Sequence, residues 1–384
     1  MTPKHIRRGG DAEPIRIGSR RFSPMCAVHF FGREGREKKR MRKRSFKVGA
    51  WLSVVVTLFV AVLAGCSGAS ETSGSSAAVP VKLQLKWVPQ AQFAGYFVAL
   101  DKGYYEEEGL AVEILPGGPD IVPEQQVASG AADIGVDWVA SLLAHQEQGL
   151  PLVEIAQIYQ KSGLVLVTKK ESGIATPADL AGKKVGNWMG GNEFEILALF
   201  DKYKLDPASD LEFIKQGFTM DQFLAGELDA ASAMTYNEYQ VVLEQGIPAS
   251  DLTVIDMNAE GVAMLEDNLF ANSEWLADNK ETAAKFVRAS LKGWKDAIDD
   301  PEGAVDIVMK STEEGSTSRD HQLKMMEEVA KLVAPEGFDM AKLGFVDEAA
   351  FKQTADIALQ FGVIRAAADL EKAYTNEIVE MATE

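Results

Sequence analysis

From residue 81 to about residue 261, short β-type runs alternate with helical runs, and turn residues separate them. VKLQLK (81–86) alternates apolar and polar residues, which is the period of a strand. Residues 91–102 read as a helix ending at Gly103, and VEIL (112–115) as a second strand stopped by Pro116-Gly117-Gly118-Pro119. A helix at 122–128, a strand at Ile134-Gly135-Val136, a helix at 139–148 and a buried strand at 152–159 follow. A chain that repeats β-α-β-α-β in this way has one economical solution. It folds as a mostly parallel sheet with helices on both faces.

A second unit of the same kind begins near residue 172. Thr176-Pro177 supplies a helix cap followed by Pro at the first helical position. KKVGNW (183–188) reads as a strand, 193–203 as a helix, and 211–214, 228–234 and 251–255 as further strands. After about residue 262 the pattern turns helical. Ala284, Val287, Leu291, Trp294 and Ile298 fall at spacings of 3 and 4, the stripe of an amphipathic helix over 281–299. More helices are predicted at 302–310, 320–333, 347–361 and 367–382. The predicted class is therefore α/β with two domains, residues 81–170 plus 262–384 forming one and residues 171–261 the other. Each is a mostly parallel sheet flanked by helices.

The segment before residue 81 has a different composition. Residues 1–65 carry a net charge of +11, which leaves −29 on the rest. So acidic a body is repelled by phosphate backbones, which argues against nucleic-acid binding. Arg42-Lys43-Arg44-Ser45-Phe46-Lys47 forms a basic patch, residues 48–64 carry no charge, and Leu63-Ala64-Gly65-Cys66 closes the run. This is the order of an export signal. Leu-Ala-Gly-Cys resembles the bacterial lipobox, in which the Cys thiol, here Cys66, is lipidated. Residues 41–65 are then the leader and 66–80 a Ser/Gly/Ala tether. Signal peptides start near their basic region, so translation is expected to begin at Met41, with residues 1–40 an upstream extension. The expected location is extracytoplasmic, anchored to the cell membrane by lipid. Cys26 and Cys66 are the two cysteines. Both fall outside the body, which leaves no thiol there for catalysis. Neither His145 nor His321 has a metal-ligand partner at i+3 or i+4, so no metal site is predicted.

In open α/β sheets, ligands bind beyond the carboxyl ends of the strands. Those positions hold Trp87 with Gln90 and Gln92, Asp137-Trp138, Trp188 with Asn192 and Glu193, and Tyr236-Asn237. Aromatic faces stack on flat rings, while amides and carboxylates pair with ring nitrogens and amino groups. No Lys or Arg occurs within these segments, which favours a neutral or weakly basic heterocycle over an anion. Any one tryptophan taken alone reads better as core packing; their clustering after strands is what points to a site.

Several of these segments carry a family resemblance. Trp87-Val88-Pro89, Gly95-Tyr96-Phe97-Val98-Ala99, the Lys102–Leu110 run, Val127–Val136, Gly149–Val153, Asp179–Gly186 and Gly293-Trp294 resemble the thiamine-pyrimidine-synthase-like branch of ABC importer solute-binding proteins. The aliphatic sulfonate-binding proteins are relatives of that branch. The resemblance implies a two-domain type II periplasmic-binding clamshell, acting as a monomer with permease and ATPase partners. It implies no cofactor. It also implies a thiamine pyrimidine precursor as ligand, formyl-aminopyrimidine or hydroxymethylpyrimidine, with Trp87 stacking on the ring and Glu193 accepting from its amino group. Pyrimidine binders typically read Asp-Trp-Thr-Pro-Asn where this chain has Lys86-Trp87-Val88-Pro89-Gln90. The Gln90–Tyr96 stretch resembles riboflavin binders, so riboflavin and sulfonates stay open as alternatives. A pyrimidine-synthase enzyme shares the fold, but it resembles a catalyst with a cysteine-rich motif that this body lacks. A lipid-anchored sensor or adhesin could use the same clamshell without a permease.

Overall fold

The computed structural model describes residues 77–189 and 191–384. The expected leader, Cys66 with its expected lipid and most of the expected tether lie outside the described residues. The tether is shorter than its sequence suggests, because β1 (Val79–Gln84) already includes its last two residues.

Among the described residues, ten strands form two five-stranded sheets. The first holds β1, β2 (Leu110–Leu115), β3 (Ile134–Asp137), β4 (Leu152–Gln157) and β10 (Asn268–Asn272), in the order β2-β1-β3-β10-β4. The second holds β5 (Leu164–Lys169), β6 (Lys184–Asn187), β7 (Glu212–Lys215), β8 (Ala230–Met234) and β9 (Leu252–Asp256), in the order β7-β6-β8-β5-β9. β1 runs parallel to β2 and β3, and β6 runs parallel to β7 and β8. β10 and β5 are antiparallel to both their neighbours.

Those two strands are where the chain changes sheets. It leaves the first sheet after β4, enters the second at β5, and returns from β9 to β10. Each sheet is therefore parallel except for the strand that arrives from the other. The first crossing comes earlier than the boundary at 170 expected from sequence, since β5 lies inside the second sheet. The return brings a strand, Asn268–Asn272, where the sequence pattern predicts only helix.

β4 and β5 are buried along almost their whole length. Helix Ala94–Asp101 buries its first six residues and crosses helix Ser273–Asp299 at two glycines. A Cβ on Gly95 would lie 2.2 Å from the Trp294 ring, and one on Gly293 would lie 2.1 Å from the Gly95 carbonyl oxygen. Both positions must therefore lack side chains for the helices to meet. The long helix starts early because the Asn272 side chain accepts hydrogen bonds from the amides of Glu274 and Trp275. The final predicted helix is broken into Leu370–Ala373 and Glu377–Thr383.

Candidate functional site between the lobes

The first lobe contributes the ends of β1 and β3. Lys86, two residues past β1, forms an ion pair with the buried Asp137 at the end of β3. Its ammonium also lies 4.9 Å from the centroid of the Trp138 ring. A cation therefore does reach the strand ends, one residue before the segments that the sequence reading took as free of them. Asp137 neutralises it and also accepts the Trp138 amide at 2.7 Å. Trp138 caps helix Val139–Glu147, which fixes where its indole stands.

The second lobe contributes a loop after β6 that braces itself. Asn187 accepts the Met189 amide at 2.7 Å and donates to the Asn192 carbonyl at 3.0 Å and to Ser232 Oγ at 2.9 Å. Asn192 donates to the Met189 carbonyl, and Glu193 accepts the Gly191 amide at 2.8 Å. These bonds hold Met189 at φ 62°, a left-handed conformation that L side chains rarely adopt. Helix Phe194–Lys202 follows and presents Phe194 and Glu195.

A narrow gap separates Trp138 and Ala140 from Gly191, Asn192, Phe194 and Glu195, with Met264 and Leu265 of the return crossing along it. Behind this gap the two crossings are tied together. Ser162 Oγ lies 2.9 Å from Glu195 Oε2 and 2.6 Å from Glu266 Oε1. Glu195 also accepts the Met264 amide, and Glu266 the Gly163 amide. A serine hydroxyl has one hydrogen, so it cannot donate to both carboxylates. One of the two carboxyls must carry a proton and donate to Ser162. Burial supplies the cause: it pushes Glu266 up to about 8, and it raises Glu195 with help from the Glu266 charge.

The predicted site residues are distributed around this core. Trp138 and Asn192 line the gap, and Asp137 stands behind Trp138 with Lys86. Trp87 is half-buried and meets Phe218 of the other lobe, ring centroids 5.2 Å apart and planes tilted by 47°. Trp188 is half-buried against the main core, and Glu193 is engaged with its own loop. Gln90 and Gln92 are buried in a chain: Gln90 donates to Gln92 at 2.7 Å, and Gln92 donates to Asp267 at 2.8 Å. Tyr236 is buried edge-on to Tyr159 at 6.3 Å. Asn237 accepts from His321 Nε2 at 3.0 Å, while His321 Nδ1 faces Glu244, so this contact bridges helices Glu238–Glu244 and Arg319–Val333.

Sequence reasoning missed Lys86, Ser162, Phe194, Glu195, Phe218, Glu266 and Asp267. Two signals were available. Glu195 lies two residues from a chosen carboxylate, and Glu266-Asp267 are adjacent acids one residue before a short apolar run.

Two mixed α/β lobes, crossed twice by the chain and facing each other across a lined gap, define the periodic architecture of the periplasmic-binding-protein fold. The Escherichia coli periplasmic aliphatic sulphonate binding protein SsuA is similar in structure, with a TM-score of 0.57 and 16% identity over 76% of this chain and 91% of that one. Residues 90–304 match the family described as NMT1/THI5 like, and the chain belongs to that family. It is 27% identical to the riboflavin-binding protein RibY of Chloroflexus aurantiacus over 84% of this chain and 95% of that protein. It is 26% identical to a formylaminopyrimidine-binding protein of Halalkalibacterium halodurans over 71% of this chain and 81% of that protein.

Proposed function

We propose that this protein is the solute-binding subunit of an ABC importer, held outside the cell by lipid on Cys66, and that it captures a planar nitrogen heterocycle without transforming it. The observation that carries the reading is the interlobe gap. It sets the Trp138 and Phe194 side chains beside the polar groups of Asn192 and Glu195. Flat apolar walls take the faces of a ring, and the amide and carboxyl take its edge. The named ligands of the two curated relatives are both planar nitrogen heterocycles, which supports the same class here.

Within that class we place a single-ring aminopyrimidine precursor of thiamine first. The match to the NMT1/THI5 like family and the likeness to a formylaminopyrimidine-binding protein support that choice. Riboflavin is the second reading. It is supported by the greater span shared with the riboflavin-binding relative, and by the Trp87–Phe218 pair, which would extend a stacking surface outward. Sulfonates fit less well, because Lys86, the cation beside Trp138, is already paired with Asp137.

The test is a melting series with formylaminopyrimidine and riboflavin side by side. A ligand at a hundred times its Kd stabilises the folded state by about 2.7 kcal/mol. Trp188→Ala is expected to weaken binding of the active compound by about 1–3 kcal/mol, the range for stacking a base on an aromatic side chain. No shift with either compound would remove the reading, and unchanged affinity in the variant would return Trp188 to the core.

A further inference from the structure

We propose that His321 is the centre of a proton-dependent clasp between the two lobes, in which one added proton completes a hydrogen-bonded chain through Glu244, His321, Asn237 and Glu238 and holds the lobes together. The inference goes beyond the functional reading above and does not depend on which ligand the gap takes.

The clasp joins elements of different lobes. Helix Glu238–Glu244 follows β8 of the second sheet and buries Val242 among that lobe's core residues. Helix Arg319–Val333 is fixed to the first lobe, because the Gln322 side chain accepts the Ala91 amide at 2.6 Å. Its far end meets the crossing between β4 and β5, where the Gln160 amide donates to the Leu332 carbonyl at 2.9 Å. His321 stands three helical turns before Leu332, about 16 Å along the axis. Lobes that open about their crossings separate most at contacts far from them, and this contact is one of those.

The chain needs one hydrogen more than neutral side chains supply. His321 Nδ1 faces the two Glu244 oxygens at 3.2 and 3.1 Å, and Nε2 faces Asn237 Oδ1 at 3.0 Å. Both partners are acceptors, and a neutral imidazole has a single N–H. The amide is oriented from its other side: Asn237 Nδ2 donates to Glu238 Oε1 at 3.0 Å, while Glu238 Oε2 accepts the Met234 amide at 2.9 Å. Turning the amide round would give His321 a donor but set the Asn237 oxygen against Glu238, which must then carry a proton. Either way the complete chain holds one added proton, on the ring or on Glu238. Burial pushes Glu238 up to about 7, so this proton exchanges near neutrality. Partial burial works against ionised Glu244, but hydrogen bonds from Lys324 and His321 outweigh it and hold the group below the ordinary carboxylate range. The charged groups at the ring are therefore Glu244 and, behind Asn237, Glu238 from the second lobe, with Lys324 on its own helix 3.1 Å from Glu244. Glu328, further along that helix, acts on Tyr239. Parted lobes lose this arrangement of acceptors, so the closed form holds the proton more tightly. Closure is then favoured at low pH and weakens as pH rises through neutrality. Asn237 serves the clasp in this assignment and not the ligand.

The experiment measures the distance between spin labels on Val88→Cys and Thr219→Cys, exposed positions flanking the Trp87–Phe218 contact, in the unliganded full chain at pH 6 and pH 8. Cys26→Ser and Cys66→Ser remove the other thiols. The parent protein is expected to give a short distance at pH 6 and to gain a longer one at pH 8. If closure raises the proton affinity by one pKa unit, the closed-to-open ratio changes by about tenfold. Glu238→Gln supplies the missing hydrogen permanently and should stay closed at both pH values. His321→Ala should show the longer distance at both, and His145→Gln should respond as the parent does. Identical distances at the two pH values in the parent, or a pH response that survives in His321→Ala, would overturn the clasp while leaving the functional reading intact. If His321→Ala melts early, Glu238→Gln decides: a pH response retained there refutes the shared proton.

Discussion

Glu266→Gln tests the shared proton between the lobes. The carboxyl is fully enclosed, and burial carries it to about 8 from an ordinary value of 4.5. In the unfolded chain Glu266 loses its proton near the ordinary value. Between roughly pH 5 and 8 the folded protein therefore holds one proton more than the unfolded chain. The sign follows from linkage: stability falls as pH rises through this window and levels off above the folded pKa. One proton corresponds to a slope of about 1.4 kcal/mol per pH unit, so this group alone accounts for roughly 4 kcal/mol between pH 5 and 8. The substitution keeps the oxygen that accepts from Gly163, replaces the unpartnered one with an amide nitrogen and leaves no proton to lose. The Ser162 hydrogen is then free for Glu195. Urea unfolding at several pH values, with the m-value as a check on the unfolded state, should show wild type losing stability toward pH 8. The variant should fall less steeply by about 1.4 kcal/mol per unit. Parallel slopes would mean that Glu266 is already ionised in the fold and would refute its assignment as the carrier of the shared proton.

Two further substitutions probe the frame. Gly95→Ala should lower stability by about 1–3 kcal/mol despite the better helix propensity of Ala, because its Cβ meets the Trp294 ring at 2.2 Å; a melting point equal to wild type would show that the helix pair can separate freely. Lys204→Gly should raise stability by roughly 1 kcal/mol, since Lys204 stands at φ 60° just past helix Phe194–Lys202, where the Leu205 amide bonds back to Phe200. Its exposed ion pair with Asp201, at 4.0 Å, offers little to lose, and a drop in the denaturation midpoint would contradict the assignment.

The alternation of strand and helix was legible because each of those elements carries its own period or its own caps. Thr176-Pro177 marks a capping box in which Asp179 answers Thr176, and the 281–299 stripe lies within the long helix Ser273–Asp299. β5 and β10 were not legible. LVLVTK has no alternation, since it is buried on both faces, and NLFAN is only five residues long, ending in a helix cap. The aromatic positions at strand ends could be read, because topology alone predicts where strand ends lead. The acids at 195, 266 and 267 were marked only by nearness to a chosen carboxylate or to each other. They matter through a contact between two crossings about 100 residues apart, and no local period records that pairing. Lys86 sat in plain view but was counted with its strand rather than with the site.

The double crossing also bears on how the protein is made. Strands β5 to β9 are consecutive in the chain, so the inner sheet holds all its strands once residue 256 has been synthesised. The outer sheet cannot close until Asn268–Asn272 slots between β3 and β4, and its helical cover follows later still. Until then β3 and β4 have unpaired edges, the kind of surface that attracts other chains. Of the two halves, the outer one thus has the longer wait and the greater need of protection.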